Sequence, residues 1–127
     1  MPGGSGREEA SEPSDVGCVF CAIVEGEVPA EVIERRPLAI AFSDLHPVAP
    51  LHALVVPRRH LDDAAAVTAE HGEVLAEMLV LARQVAERGG VADSGYRLVM
   101  NVGRDSGNTV GHLHLHVLAG RPLGALG

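Results

Sequence analysis

The feature that most constrains this chain is a run from Val110 to Leu118 in which histidine and aliphatic residues alternate. A period of two is that of a β-strand, whose successive side chains point to opposite faces. Histidines two strand positions apart lie roughly 6–7 Å from each other, close enough to act on one small group. The run therefore predicts either a metal-binding face or a catalytic face that handles a phosphate. The predicted faces carry His112, His114 and His116 on one side, and Leu113, Leu115 and Val117 on the core side.

Size and charge limit the classes of function. With 127 residues, 46% of them hydrophobic, the chain is long enough for one domain with a real core. Its net charge of −7 disfavours binding to a nucleic-acid backbone, which needs a basic surface. A mononucleotide needs only a small pocket, so it stays compatible with this charge. Lysine does not occur in the chain, which excludes Schiff-base and P-loop lysine chemistry.

The N-terminal stretch differs in composition from the rest. Residues 1–16 are rich in Gly, Ser, Pro and Glu and have almost nothing to bury, so they predict a disordered tail before a domain at 17–127. Neither a membrane-spanning stretch nor the apolar part of a signal peptide is present. We therefore expect a cytoplasmic protein that does not bind a membrane.

Two cysteines, Cys18 and Cys21, form a C-x-x-C motif. A thioredoxin-like redox pair would have a strand before the motif and a helix after it, whereas here only the tail precedes it. Zinc is the alternative, but a tetrahedral site needs four nitrogen or sulphur ligands and the motif supplies two. The other two would have to be histidines from elsewhere in the chain.

The hydropathy pattern predicts an α+β fold. The connections between the predicted strands are mostly too short for parallel crossovers, so about five strands form an antiparallel sheet. One long amphipathic helix, capped by Thr68 and ended by Gly89-Gly90, packs across that sheet. Strands are predicted at Glu31–Glu34, Leu38–Phe42, His52–Pro57, Tyr96–Asn101 and the histidine run, with the helix at Thr68–Arg88.

Several polar residues have two interpretations from the sequence. Asp44 follows a strand end, where either a functional carboxylate or a turn-forming aspartate is common. His60 is a metal ligand or a surface residue, and His52 either supports the site by hydrogen bonding or is a satisfied core histidine. The glycine-bearing loop Gly103–Thr109 either presents N–H groups to an anion or only connects two strands.

The histidine run resembles the signature of the histidine triad (HIT) family of nucleotide hydrolases and transferases. Ile40–His60 resembles the second block of that family, and Tyr96–Gly103 resembles the third, so the likeness covers roughly Cys18 to Arg121. The segment after the triad resembles the short-tailed histidine triad nucleotide-binding (HINT) branch. Asn108 stands where family members usually have Gln, and the tail has no aromatic residue.

The resemblance implies roles for individual residues. In the family, a Phe-x-Asp stretch lines the nucleoside pocket, a loop and the triad bind the phosphate, and zinc-bearing members use two cysteines with two histidines. It also implies a two-fold homodimer with a continuous sheet, paired through the long helix and the Tyr96–Asn101 strand. The nucleoside residues would be Phe42, Asp44 and Leu45; the phosphate residues Asn101, Gly107, Thr109, His114 and His116; and the ligands of a structural zinc Cys18, Cys21, His60 and His112.

The function expected from these features is hydrolysis or transfer at the α-phosphate of a purine nucleoside phosphoramidate or another AMP-like conjugate. Neutral imidazole is a competent nucleophile at phosphorus, and the central His114 is best placed to attack and form a nucleotidyl-histidine. His116 and Thr109 would donate hydrogen bonds to the phosphoryl group.

Three alternatives remain from the sequence. A dinucleoside polyphosphate hydrolase of the same family would use the same triad. A metal-dependent enzyme would use the three triad histidines as ligands, leaving Cys18, Cys21 and His60 without a role. A non-catalytic nucleotide-binding or scaffold protein is also compatible, because a fold does not determine a function.

Overall fold

The computed structural model describes residues 17–108 and 110–126. The predicted tail at 1–16 lies outside the described residues, as does Thr109, which the sequence assigns to the phosphate site. The elements in chain order are α1 (Val19–Val24), β1 (Val32–Arg35), β2 (Ala39–Ser43), β3 (Leu51–Pro57), α2 (Gly72–Arg88), β4 (Tyr96–Val99) and β5 (Leu115–Ala119), with single 3-10 turns at Ala64–Ala66, Ala69–His71 and Arg104–Ser106.

Within these residues the strands form a five-stranded antiparallel sheet in the order β1-β2-β3-β5-β4. Together with the 17-residue helix α2, this confirms the α+β fold expected from the pattern of short strands and one long helix. β5 lies between β3 and β4, and His116 on β5 pairs with Leu54 on one side and Val99 on the other. The triad strand is therefore central rather than at an edge.

One face of the sheet packs against α2 and carries most of the core. Met78 and Leu81 of α2 are fully buried there, as the helical stripe in the sequence predicts. Burying a side chain of this size contributes roughly 1.5–3 kcal/mol, so this face supplies much of the stability. The cluster contains Ala39, Ala41, Ala53, Val55, Leu61, Val74, Met78, Leu81, Ala82, Val85, Leu113, Leu115 and Val117.

The opposite face of the sheet is covered in part by the short helix α1. Phe20 of α1 packs there with Phe42 and Leu54 in a second, smaller cluster. Because side chains alternate along a strand, His52 and His116 share this face with Leu54. The side chains of His52 and His116 therefore lie on the side of the sheet away from α2.

The triad run is only partly a strand. β5 begins at Leu115, because the backbone N–H of Leu113 donates to the carbonyl of Leu61 at 2.6 Å instead of pairing with β3. The alternation of burial nevertheless continues through the non-strand part, since Leu113 is 2% exposed and packs in the α2 cluster. The predicted core side of the run is thus correct, while the predicted strand is too long.

The long helix begins later than the cap at Thr68 predicts. Thr68 and His71 form a capping box: the Thr68 side chain accepts from the Glu70 N–H, and the His71 ring accepts from the Thr68 N–H at 2.9 Å. This box closes a 3-10 turn, and the α-helix proper starts at Gly72. None of the helices in the described ranges has the length and hydropathy needed to span a membrane.

Candidate functional site

Cys18, Cys21, His60 and His112 come together at the end of α1, and their ligand atoms all lie within 4.8 Å of one another. The Nδ1 of His112 is 3.3 Å from the Cys18 sulphur and 3.4 Å from the Cys21 sulphur, and the Nδ1 of His60 is 3.2 Å from Cys21. A tetrahedral zinc with its usual bond lengths separates sulphur and nitrogen ligands by about 3.5 Å. The spacing of this cluster therefore fits a zinc ion.

The hydrogen bonds of the two cluster histidines also fit a metal site. The Nε2 of His112 donates to the carbonyl of Pro57 at 3.1 Å, and the Nε2 of His60 donates to Asp62 at 2.8 Å. Because a carbonyl or carboxylate oxygen accepts, each Nε2 carries the proton and each Nδ1 presents its lone pair toward the sulphurs. Such outer hydrogen bonds are what orients metal-binding histidines. The sequence analysis gave Asp62 no place in the site.

His114 lies two residues after the cluster residue His112 and is 8% exposed. Its Nδ1 lies 2.7 Å from the backbone carbonyl of His112, to which it donates. The proton of the neutral ring is therefore on Nδ1, and the lone pair is on Nε2. An imidazole held in this tautomer offers a nucleophilic nitrogen whose direction is set by the backbone.

His116 lies beside His114, with the two ring centroids 5.0 Å apart. Its Nδ1 is 2.9 Å from the Nε2 of His52. The pKa of His116 is lowered to about 4, mainly by burial and also by positive charge on His114 and His52, while the Asp44 carboxylate opposes the shift. Burial also lowers the pKa of His52, again against the pull of Asp44. His116 is consequently neutral near pH 7.

Phe20 is a site residue that the sequence interpretation missed. Its ring meets those of Phe42, His112 and His114 edge-on, with centroids 5.5, 5.9 and 5.3 Å away. It thus packs against both a cluster histidine and the histidine next to it. The signal for it was its position between the two cysteines, which places it on the short helix that faces the site.

The residues assigned to the nucleoside pocket differ in exposure. Phe42 is 3% exposed and packs in the cluster under α1, whereas Leu45 is 85% exposed. The exposure of Asp44 is between those of Phe42 and Leu45. One of its carboxylate oxygens accepts from the His46 N–H at 2.8 Å, and the other is 3.4 Å from the Nε2 of His52. Asp44 and His52 therefore form a second polar group with His116, the last histidine of the triad.

The loop between β4 and β5 carries the residues assigned to the phosphate. Asn101 donates to the carbonyl of Ser106 at 3.0 Å, and Gly107 has a φ of +84°, a conformation that favours glycine. The side chain of Asn108 accepts from the Val110 N–H at 3.2 Å, so it braces the loop. Because Val99 pairs with His116, this loop leaves the sheet next to the triad.

A family model described as "HIT domain" matches residues 25–123, which is more than half of the chain. The chain belongs to the histidine triad family. Within this HIT domain, His112 belongs to the cluster with Cys18, Cys21 and His60. His114, which is buried, and His116, which is partly buried, form a pair of imidazoles in contact on the face away from α2.

Individual relatives agree with the family model. The chain is 40% identical over 108 residues to the purine nucleoside phosphoramidase of Escherichia coli strain K12, a match that covers 85% of this chain and 91% of that protein. Among solved structures, a HIT family hydrolase from Clostridium thermocellum superposes with a TM-score of 0.84 at 36% identity, covering 87% of this chain and 96% of its own. A HIT family hydrolase from Legionella pneumophila superposes with a TM-score of 0.82 at 40% identity, and the match covers 84% of this chain and 95% of that one.

Proposed function

We propose that the chain hydrolyses or transfers the nucleotidyl group of purine nucleoside phosphoramidates and related AMP-like conjugates, through a nucleotidyl-histidine on His114. The observation that carries this proposal is the hydrogen bond from the Nδ1 of His114 to the carbonyl of His112. In the neutral ring this bond leaves the lone pair on Nε2, which is the proposed nucleophile. The similarity to a purine nucleoside phosphoramidase supports the substrate class.

The reaction has two displacements at phosphorus. In the first, the Nε2 lone pair of His114 forms an N–P bond while the bond from phosphorus to the leaving amine breaks, and the amine takes up one proton from solvent. In the second, water attacks the same phosphorus, the N–P bond to His114 breaks, and the nucleoside monophosphate leaves with a proton released to solvent. The Nδ1–H bond to the His112 carbonyl stabilises the positive charge of the intermediate imidazolium.

The remaining assigned residues would bind the substrate. His116, neutral near pH 7, would donate to a phosphoryl oxygen or to the leaving group, with Thr109, Asn101 and Gly107 on the phosphate side. Asp44 would accept from the ribose hydroxyls, and its half-buried position beside His52 supports that role. Phe42 and Leu45 would complete the nucleoside pocket.

The metal in this proposal is a structural zinc on Cys18, Cys21, His60 and His112. Four protein ligands close the coordination sphere, so the ion supplies folding free energy rather than a reactive water. The alternative in which three triad histidines bind a catalytic metal is disfavoured, because the Nδ1 of His112 faces the two sulphurs. His114 then remains available for attack.

We further propose a cytoplasmic homodimer that does not bind nucleic acid. The net charge of −7 argues against a nucleic-acid partner. The resemblance supports pairing through α2 and β4, and β4 is an edge strand of the described sheet on which Leu98 is 39% exposed. An edge strand with an exposed leucine is a natural place for a second copy to pair.

Turnover of adenosine phosphoramidate tests the proposed function. The wild type should release AMP, and His114→Ala should lower kcat by at least about a thousandfold while AMP still binds, because only the nucleophile is lost. His71→Gln is the matched control: it removes a histidine at the start of α2, away from the site face, and should retain the wild-type rate. Near wild-type turnover by His114→Ala would contradict the proposal.

The same assay separates the runner-up functions. A higher kcat/KM for diadenosine triphosphate than for the phosphoramidate would reassign the chain to dinucleoside polyphosphate hydrolysis. Tight AMP binding without turnover of either substrate would instead indicate a nucleotide-binding protein that is not an enzyme.

A further inference from the structure

His52 lies between a loop of the nucleoside side and the triad. Its Nδ1 is 3.1 Å from the backbone nitrogen of Val48. A backbone N–H only donates, so this ring nitrogen accepts and carries no proton. Since a neutral imidazole keeps one proton, that proton is on the Nε2 of His52.

The protonated Nε2 of His52 points at the triad. It is 2.9 Å from the Nδ1 of His116 and 3.4 Å from a carboxylate oxygen of Asp44. The shorter contact is the hydrogen bond, with His52 as donor and the Nδ1 of His116 as acceptor. By the same count of protons, the neutral ring of His116 carries its proton on Nε2.

We propose that His52 is a positioning residue that holds His116 in the Nε2–H tautomer, so that His116 presents a hydrogen-bond donor beside the lone pair of His114. The backbone carbonyl of His112 sets the tautomer of His114, and the backbone N–H of Val48 sets that of His116 through His52. Two neighbouring rings of the same residue type thereby present opposite polarity to one phosphoryl group.

We call the chain of hydrogen bonds from the Val48 N–H through His52 to His116 the relay. The lowered pKa of His116 and the fixed position of Val48 both support it. Burial and the positive charge that His114 or His52 would carry disfavour protonation of His116, and Asp44 opposes this only in part, so the pKa of His116 is about 4. A neutral ring needs a defined tautomer, whereas an imidazolium donates from both nitrogens. The carbonyl of Val48 accepts from Arg121 at 3.0 Å, which fixes the residue whose N–H starts the relay.

Two substitutions separate the ends of the relay. In His52→Gln the amide nitrogen reaches the position of the imidazole Nε2, so donation to His116 is retained. In His52→Asn the shorter side chain reaches only the position of Nδ1, so the contact with Val48 is retained and that with His116 is lost. This comparison of rates rests on the proposed function. We expect His52→Asn to lower kcat by about ten- to a hundredfold with little change in KM, the loss typical of an orienting partner, and His52→Gln to keep most of kcat.

Proton–nitrogen correlation spectra of the ligand-free protein test the tautomers without any turnover. The wild type should show His116 and His52 each protonated on Nε2, and His52→Asn should give His116 a mixture of tautomers that His52→Gln does not. His71→Gln should remove one set of signals and leave the others unchanged. A wild-type His116 protonated on Nδ1 would overturn the inference even if both variants failed to fold, and so would a His52→Asn variant that keeps the Nε2–H form and the wild-type kcat. Absence of wild-type turnover would contradict the proposed function alone, since the spectrum still decides the relay.

Discussion

At the scale of single residues, the site assigns different tasks to one residue type through the partner of each ring. A backbone carbonyl holds the proton of His112 on Nε2, whereas the carbonyl of His112 itself holds the proton of His114 on Nδ1. The His112 ring therefore turns Nδ1 toward the cysteines, whereas the His114 ring keeps its lone pair on Nε2, the atom that we propose as the nucleophile. The alternating sequence places these rings near each other, but the hydrogen bonds decide what each can do.

The lowered pKa of His116 predicts an acid-dependent loss of stability. The folded state holds this pKa at about 4, below the ordinary value of 6.5, because of burial and of positive charge on His114 and His52, with Asp44 opposing. On acidification the unfolded chain therefore binds the proton first. The contribution of the neutral His116 ring to the free energy of unfolding is therefore fully present above about pH 6.5. It is lost as the pH falls from 6.5 toward 4.

Denaturant unfolding across this pH range checks the effect against His116→Gln, whose side chain does not titrate. The free energy of unfolding of the wild type should fall more steeply between pH 6.5 and 4 than that of the variant. Acid would also affect zinc bound at the proposed site, but equally in both proteins. Parallel curves for the two proteins would show that His116 does not titrate with a lowered pKa.

At the scale of elements, α1 depends on the cluster that it carries. A helix of six residues is far too short to be stable by itself, so its position relies on Cys18, Cys21 and the packing of Phe20. The existence of this motif and of its two histidines was predictable from the sequence and the resemblance. The contact of His60 with Asp62 was not, because aspartates before a helix usually serve as caps, as Asp63 does for Ala65.

Asp62 and its neighbour Asp63 provide a matched test of the proposed zinc site. We expect one zinc per chain, and Asp62→Asn should weaken zinc binding by about ten- to a hundredfold, because it removes the charged partner of His60. Asp63→Asn changes the charge equally but only touches a 3-10 turn, so it should bind zinc like the wild type. Competition with a chromophoric chelator measures both. Equal zinc affinity of the two variants would show that Asp62 does not contribute to zinc binding.

Element boundaries were less predictable than element types. The period of two correctly predicted which residues of the triad run face the core, since that depends on local backbone geometry. The start of β5 depends instead on Leu61, a distant residue whose carbonyl takes the N–H of Leu113. Likewise, the position of Phe20 against His114 arises from the packing of α1 on the sheet, which no local pattern encodes.

At the scale of the whole molecule, the larger apolar cluster and the histidine site lie on opposite faces of the sheet. The α2 face carries the larger apolar cluster, whereas the histidines lie on the face with α1. Substitutions in the site should therefore change rates more than stability, with the four proposed zinc ligands as the exception. Leu98 lies on the α2 side of the edge strand β4, next to Val117 in register, yet it is 39% exposed.

The exposed edge predicts that the protein is a dimer. Sedimentation or light scattering in dilute solution should give about twice the 13.2 kDa mass of one chain. Leu98→Glu should shift the protein toward the monomer, because the carboxylate would be buried unpaired at a pairing strand. A single species of 13.2 kDa for the wild type would contradict the dimer but not the site.

Trapping the intermediate tests the central claim most directly. Rapid acid-free denaturation during turnover of adenosine phosphoramidate, followed by proteolysis and mass spectrometry, should find an adenylyl group on the peptide that contains the triad. Fragmentation should place it on His114, and the adduct should be absent from His114→Ala. An adenylyl group on His116, or steady turnover with no adduct on any histidine, would contradict the account.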